Sequence, residues 1–269
     1  MSIRSWLSEP RVRGVNVDSP ELVDVHREIL ASKPMMRNVF EDIYDSCMAA
    51  DLRYFSGDGL RVEVGAGVSI IKEFYPDVLA TDIKPSPHVD MVVDALAMPW
   101  DDGALRAVYG LNCFHHLPDP DQFFAELDRV LSPGGGCILI EPFDGPFARW
   151  LYPRLFDTEG YDLDQASWKA SGDVGVMHGA NQALSHVVFV RDRALFRERH
   201  PRLELVGLRP LRNYPRYLLS GGLNFRQLLP SAAIGLLKFG ERIAAPVAPA
   251  LALHQMIVLR KRRAVEATD

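Results

Sequence analysis

The spacing of apolar and polar positions changes period repeatedly along this chain, and those changes divide it into alternating helices and strands. Leu22, Val25 and Ile29 recur at helical spacing behind Ser19, an N-cap candidate with Pro20 at the first helical position. A second helix, about 35–54, carries Val39, Ile43, Tyr44 and Cys47 on one face, and residues 56–59 end it. Leu60, Val62 and Val64 then form a run with the composition of a buried parallel strand. An apolar helix-like segment holding Val68, Ile70, Ile71 and Phe74 follows at once. Further strands are predicted at 78–82, 88–94, 105–111, 137–141, 203–208 and 255–260. The clearest helix starts at Asp119 as N-cap, with Pro120 at N1 and Gln122 at N3 in a capping-box pattern. Phe123, Phe124, Leu127, Val130 and Leu131 form its stripe, and residues 132–136 stop it.

Strands alternating with helices predict an α/β fold, a parallel sheet with right-handed crossovers. Beyond residue 141 the pattern loosens. Residues 142–200 are rich in aromatics, Asp and Gly, and 210–253 form a long apolar insertion broken by Pro246 and Pro249.

The chemistry gathers at strand ends. Glu63, Gly65 and Gly67 stand at the spacing E-x-G-x-G between the first strand and the helix-like segment. A glycine turn there exposes backbone N–H groups and lets a nucleotide-like ligand approach closely. Asp82 ends the second strand, 17 residues after Gly65, and Asp94 ends the third. In an open parallel sheet these acids converge on one crevice. Asp82 can accept two hydrogen bonds from a ribose diol, Asp94 one from an exocyclic amine, and Glu63 can meet a ligand ammonium or an ordering water. A single strand-end Asp is as readily a cap; three beside Gly-x-Gly are not.

In this set the chain resembles the class I S-adenosylmethionine-dependent methyltransferases, in particular the type 11 group acting on small molecules. The residues that carry the resemblance are Val62 to Gly67, Ala80 to Ile83, Val93 to Trp100, Phe114 to Leu117 and Arg129 to Gly135, spanning roughly 60–141. The resemblance implies a doubly wound seven-stranded, mostly parallel sheet with the last strand antiparallel. It also implies one domain, with N-terminal helices over 1–58, a cofactor-binding half over 59–141, and helical cap insertions over 142–200 and 210–253. S-adenosyl-L-methionine is the implied cofactor. Glu63, Gly65, Ala66 and Gly67 would flank its methionine part, Asp82 and Ile83 its ribose, and Asp94 and Ala95 its adenine, with Asn112 near the sulfonium. Two features depart from the family pattern. Its third glycine is Ser69 here, and the link between strands two and three, residues 84–88, is too short for the usual helix. That short link leaves Asp90 as the alternative to Asp94, though alternation along the strand favours Asp94. A Rossmann dehydrogenase would need a glycine three residues after Gly67, where Ile70 stands.

Composition adds exclusions. Net charge of −5 and a pI of about 5.9 give no nucleic-acid footprint, and the run from Arg260 to Arg263 reads as a solvated tail. Three cysteines without C-x-x-C spacing argue for a reducing compartment and against a disulfide framework or zinc site. With no apolar signal region and no run of about 18 apolar residues, the expected location is cytoplasmic.

The implied activity is methyl transfer to a small-molecule acceptor, foremost a hydroxyl of a sugar, a lipid-linked glycan or a secondary metabolite. The alternative is a protein that binds S-adenosylmethionine without catalysis, as sensor or partner subunit. A hydroxyl acceptor needs a base. Among His115, His116, Glu141, His178 and His186, His178 is the first choice, lying in the acceptor region, and His115 the second, at a strand end near the sulfonium. No Asp/His cluster has metal-ligand spacing, so no metal is expected. Residues 171–179, irregular and glycine-containing, read as a mobile lid over the acceptor. The apolar stretch 228–253 reads first as packing or a homodimer contact, with a membrane surface or a lipid-linked acceptor as the other occupant.

Overall fold

A computed structural model describes residues 6–16, 19, 21–155, 159–170 and 180–263. The strands are β1 (Leu60–Val64), β2 (Leu79–Asp82), β3 (Met91–Val92), β4 (Leu105–Leu111), β5 (Leu131–Pro142), β6 (Leu203–Pro210) and β7 (His254–Lys261). They form one seven-stranded sheet in the order β3-β2-β1-β4-β5-β7-β6. The first five run parallel and β7 lies antiparallel to both β5 and β6. This is the expected fold. Chain order reverses between β1 and β4, and Val64 pairs with Gly110 there. The strand ends therefore open a crevice where doubly wound sheets take ligands.

The main helices are α1 (Glu21–Ser32), α2 (Pro34–Tyr54), α3 (Ile71–Phe74), α4 (Pro120–Val130), α5 (Pro146–Leu155), α6 (Arg193–Arg199), α7 (Tyr214–Ser220) and α8 (Ile234–Ile243). Residues alternate along the inner strands to feed two cores. Cys137 and Leu139 of β5 join Phe123, Phe124 and Leu127 of α4 on one face. Ile138 and Ile140 join Val39, Ile43 and Tyr44 of α2 on the other. Burial on both faces is why these strands read as nearly continuous apolar runs.

Several local expectations hold and others shift. Ser19 Oγ accepts the Glu21 N–H at 3.2 Å and caps α1. Asp119 caps α4 by accepting from the Gln122 N–H, but the Gln122 side chain donates to Leu96 O instead of closing a capping box. The helix after the glycine turn is a single turn, because Ser69 takes a left-handed φ of 53° and Pro76 follows Tyr75. The 132–136 run, expected to end a helix, lies inside β5, and a register shift between Leu105 and Ala107 accommodates it. Arg260 and Lys261 are part of β7, not a solvated tail. Arg260 pairs with Glu204, Lys261 donates to Asp128 O and Leu131 O, and Arg263 donates to Ser56 Oγ.

The insertion between β6 and β7 folds back onto α2. Buried Arg216 of α7 makes a bidentate pair with Glu241 of α8 (2.9 and 2.7 Å) and reaches Asp42 and Asn38 of α2. With Glu241 turned inward, the apolar side of α8 turns outward. Leu236, Phe239 and Ile243 are 73, 60 and 66% exposed. No helix among the described residues is long and apolar enough to cross a membrane.

Candidate active site

β1 delivers Glu63 and the glycine turn to the crevice. Gly65 has φ of 64°, and a Cβ there would lie 2.5 Å from Cys113 Sγ, so no side chain fits. Gly67 differs: its φ is 50°, but a Cβ would meet no atom within 4 Å. Its lack of a side chain keeps the turn's outer surface accessible to a ligand. Asp82, ending β2, accepts the Gly67 N–H (2.9 Å) through one oxygen and the Lys84 N–H (2.9 Å) through the other. The carboxylate that sequence reasoning assigns to a ribose thus also holds the glycine turn, and each oxygen retains a second lone pair.

Glu63 is 1% exposed; its Oε1 accepts the Tyr44 hydroxyl at 2.8 Å and its Oε2 has no partner. Burial pushes this carboxyl up to about 8, the Tyr44 hydrogen bond opposes that, and nearby Asp82 adds to it. Across the switch point Asn112 follows β4 with φ of 50°, and its buried Oδ1 is also without a partner. Asp90 and Asp94 separate clearly. Asp90 Oδ2 accepts the Ala80 N–H (2.8 Å) and pairs with Lys72 (3.0 Å), pinning β3 to β2. Asp94 is exposed just past β3, with Oδ1 on the Leu96 N–H, while Ala95 is buried and Ile83 exposed.

Beyond Asn112 the chain makes a tight turn, Phe114–His116, that packs two imidazoles together with centroids 4.2 Å apart. Glu141, near the end of β5, organises this turn. Its Oε1 accepts the Cys113 and Phe114 N–H groups (2.9 and 2.8 Å), and its Oε2 lies 2.6 Å from His115 Nδ1. His115 Nε2 faces Glu159 of the cap at 3.5 Å, and Gln182 Nε2 donates to the same carboxylate at 2.8 Å. Burial pulls the His115 imidazole down, but Glu141 and Glu159 outweigh it and hold it up at about 9. Glu159 goes the other way, to about 2, because the histidines and Gln182 overcome its burial.

Sequence reasoning missed Glu159 and Gln182 as site residues. They meet because the backbone of Gly160 bonds to those of Ala180 and Gln182, and the Asn181 N–H donates to His115 O. His178 and the 171–179 lid lie outside the described residues. His186 is elsewhere, its Nδ1 3.1 Å from Asp144, which also binds Arg149 and Tyr161. Tyr152 and Trp168 are core residues, and Trp150 is exposed.

Residues 62–139 match the family model described as "Methyltransferase domain". The match lies within 59–141, the stretch that sequence reasoning assigns to the cofactor. S-adenosyl-L-methionine is the cofactor of that family. The open turn at Gly67, the partnerless oxygens of Glu63 and Asn112, and the Asp82 carboxylate form a donor and acceptor set that fits it. Over 49 residues the chain is 41% identical to tocopherol O-methyltransferase of Arabidopsis thaliana, covering 18% of this chain and 14% of that protein. It is equally identical over 49 residues to ajmaline N-methyltransferase of Rauvolfia serpentina, covering 18% and 17%. The matched segment therefore spans between about a seventh and a sixth of the length of these relatives. Among solved structures, the chain is similar to geranyl diphosphate C-methyltransferase of Streptomyces coelicolor A3(2) at a TM-score of 0.47 and 14% identity, covering 81% and 78% of the two chains. It is also similar to a putative sarcosine dimethylglycine methyltransferase of Galdieria sulphuraria at a TM-score of 0.43 and 15% identity, covering 84% and 86%.

Proposed function

We propose that this protein transfers a methyl group from S-adenosylmethionine to a small-molecule acceptor seated between the glycine turn and His115. One observation carries the reading: Glu63, Gly67, Asp82 and Asn112 meet at the switch point of the sheet, beside the histidine turn. The cofactor supplies an electrophilic methyl group. Glu63 binds the cationic end of its methionine part, Asp82 and Ile83 flank the ribose, and Asp94 with Ala95 flanks the adenine. His115, oriented by Glu141, faces the acceptor; held up at about 9, it takes the proton of a hydroxyl only in its neutral form, so turnover is expected to rise as pH approaches 9. The relatives named above act on oxygen, nitrogen and carbon, so the hydroxyl preference rests on that imidazole. A sensor that binds the cofactor without turnover is the competing reading.

Cofactor binding tests the assignment of Glu63. At pH 7 a carboxyl held near 8 is mostly protonated, and a cation beside it favours the ionised form. Calorimetry in buffers of different ionisation enthalpy is expected to show proton release when S-adenosylmethionine binds. The release fades as pH rises through about 8, where Glu63 is already ionised, and it is absent in Glu63→Gln. Binding with no proton release at pH 7 would move the cationic group away from Glu63.

The finer reading of the acceptor is a lipid-linked molecule reached from a membrane surface. Leu236, Phe239 and Ile243 on one side of α8, with exposed Arg242 beside them, support it. The protein is expected to sediment with anionic phospholipid vesicles, and a Leu236→Glu, Phe239→Glu variant to stay in the supernatant. A wild-type protein that ignores vesicles but dimerises through this side would instead make the patch a homodimer contact.

A further inference from the structure

The turn that presents His115 also presents His116, and the cap brings one carboxylate to both. Among the described residues, His115, His116 and Glu159 each offer a ligand atom, and these atoms lie within 4.8 Å of one another. His115 Nε2 is 3.5 Å from Glu159 Oε2, and His116 Nε2 is 4.0 Å from Glu159 Oε1. We propose that His115, His116 and Glu159 form a binding site for a single divalent cation of the Zn²⁺ or Fe²⁺ class.

Three features support a metal site over a chance cluster. Two imidazoles and one carboxylate are a ligand set suited to borderline cations, and three protein ligands leave a position open for water or substrate oxygen. Metal-binding histidines commonly pass their other ring N–H to a carboxylate, which fixes tautomer and orientation. Here Glu141 Oε2 stands 2.6 Å from His115 Nδ1 and leaves Nε2 for the ion. Gln182, 3% exposed, fixes Glu159 through its Nε2, while its buried Oε1 has no partner. That spare acceptor is what a water or hydroxyl on the ion would satisfy. Bonds of about 2.0–2.2 Å place two ligands of a tetrahedral ion about 3.3 Å apart, so the three groups need only draw inward.

The consequence is chemical. An ion at this position would lower the pKa of a bound hydroxyl or water. The proposal stands on the ligand geometry alone and does not depend on the methyl-transfer reading.

The test uses the full chain, stripped with a chelator and dialysed, without S-adenosylmethionine. Titration with Zn²⁺ by calorimetry is expected to show one ion per chain at micromolar affinity or tighter. Co²⁺ is expected to develop the intense visible absorption of a four- or five-coordinate site. His116→Ala and Glu159→Ala, both at partly exposed positions, are each expected to weaken binding at least tenfold. Glu141→Gln, which keeps an oxygen for the Cys113 and Phe114 N–H groups while changing the partner of His115, is expected to weaken it by about 10–100-fold. Wild-type protein that binds neither ion stoichiometrically overturns the proposal, even if a variant fails to fold. So does stoichiometric binding that His116→Ala and Glu159→Ala leave unchanged.

Discussion

His115→Ala is expected to lower turnover by about 10²–10⁴ while leaving affinity for S-adenosylmethionine nearly unchanged. The reasoning is positional. His115 is buried and fixed by Glu141 on one nitrogen, its other nitrogen faces the cap carboxylate Glu159, and it makes no contact with Glu63 or Asp82 among the hydrogen bonds of the described residues. Removing the ring takes away the group that receives the acceptor proton or holds the ion that activates it. The turn itself should survive, because Glu141 Oε1 still accepts the Cys113 and Phe114 N–H groups. Single-turnover rates and cofactor calorimetry on the same variant separate the two effects. Wild-type turnover in His115→Ala, with a large loss in His178→Ala, would give the role to His178. Full activity in both would mean that the acceptor needs no histidine, as an amine or thiolate would not.

Arg216→Met is expected to destabilise the protein by about 3–5 kcal/mol, the range for stranding one partner of a buried ion pair. Glu241 is 6% exposed and would lose all three guanidinium contacts to Arg216. Asp42 would keep Lys238 at 3.0 Å. Adding Glu241→Leu should recover most of the loss, since an apolar pair of similar volume often replaces a buried ion pair at little cost. Denaturant unfolding of the wild type, the single variant and the double variant measures both steps. A single variant as stable as wild type would mean that Arg216 and Glu241 do not hold α7 and α8 against the body of the fold.

The candidate cofactor site is legible as a cluster because its residues are local and periodic in the sequence. Glu63, Gly65 and Gly67 lie within five residues at the end of a strand, and Asp82 ends the next one. Strand alternation also favoured Asp94 over Asp90, and Asp90 proves occupied by the Ala80 N–H and Lys72. The acceptor side was not legible for a physical reason. Glu159 and Gln182 sit in irregular backbone and reach His115 only through the bridge between Gly160 and Asn181, a pairing that no periodicity announces. The α8 segment shows a different limit. Its spacing identified an apolar side but not the direction it faces, which the buried Arg216–Glu241 pair decides from 25 residues away.

The most direct test of the central claim is transfer of labelled methyl from S-adenosylmethionine to small molecules of a cell extract by the purified 269-residue chain. The account predicts that label enters at least one small-molecule product, with S-adenosylhomocysteine formed in equal amount. Stoichiometric binding of S-adenosylmethionine with no label transferred to any fraction would contradict it and leave a cofactor-binding sensor in its place.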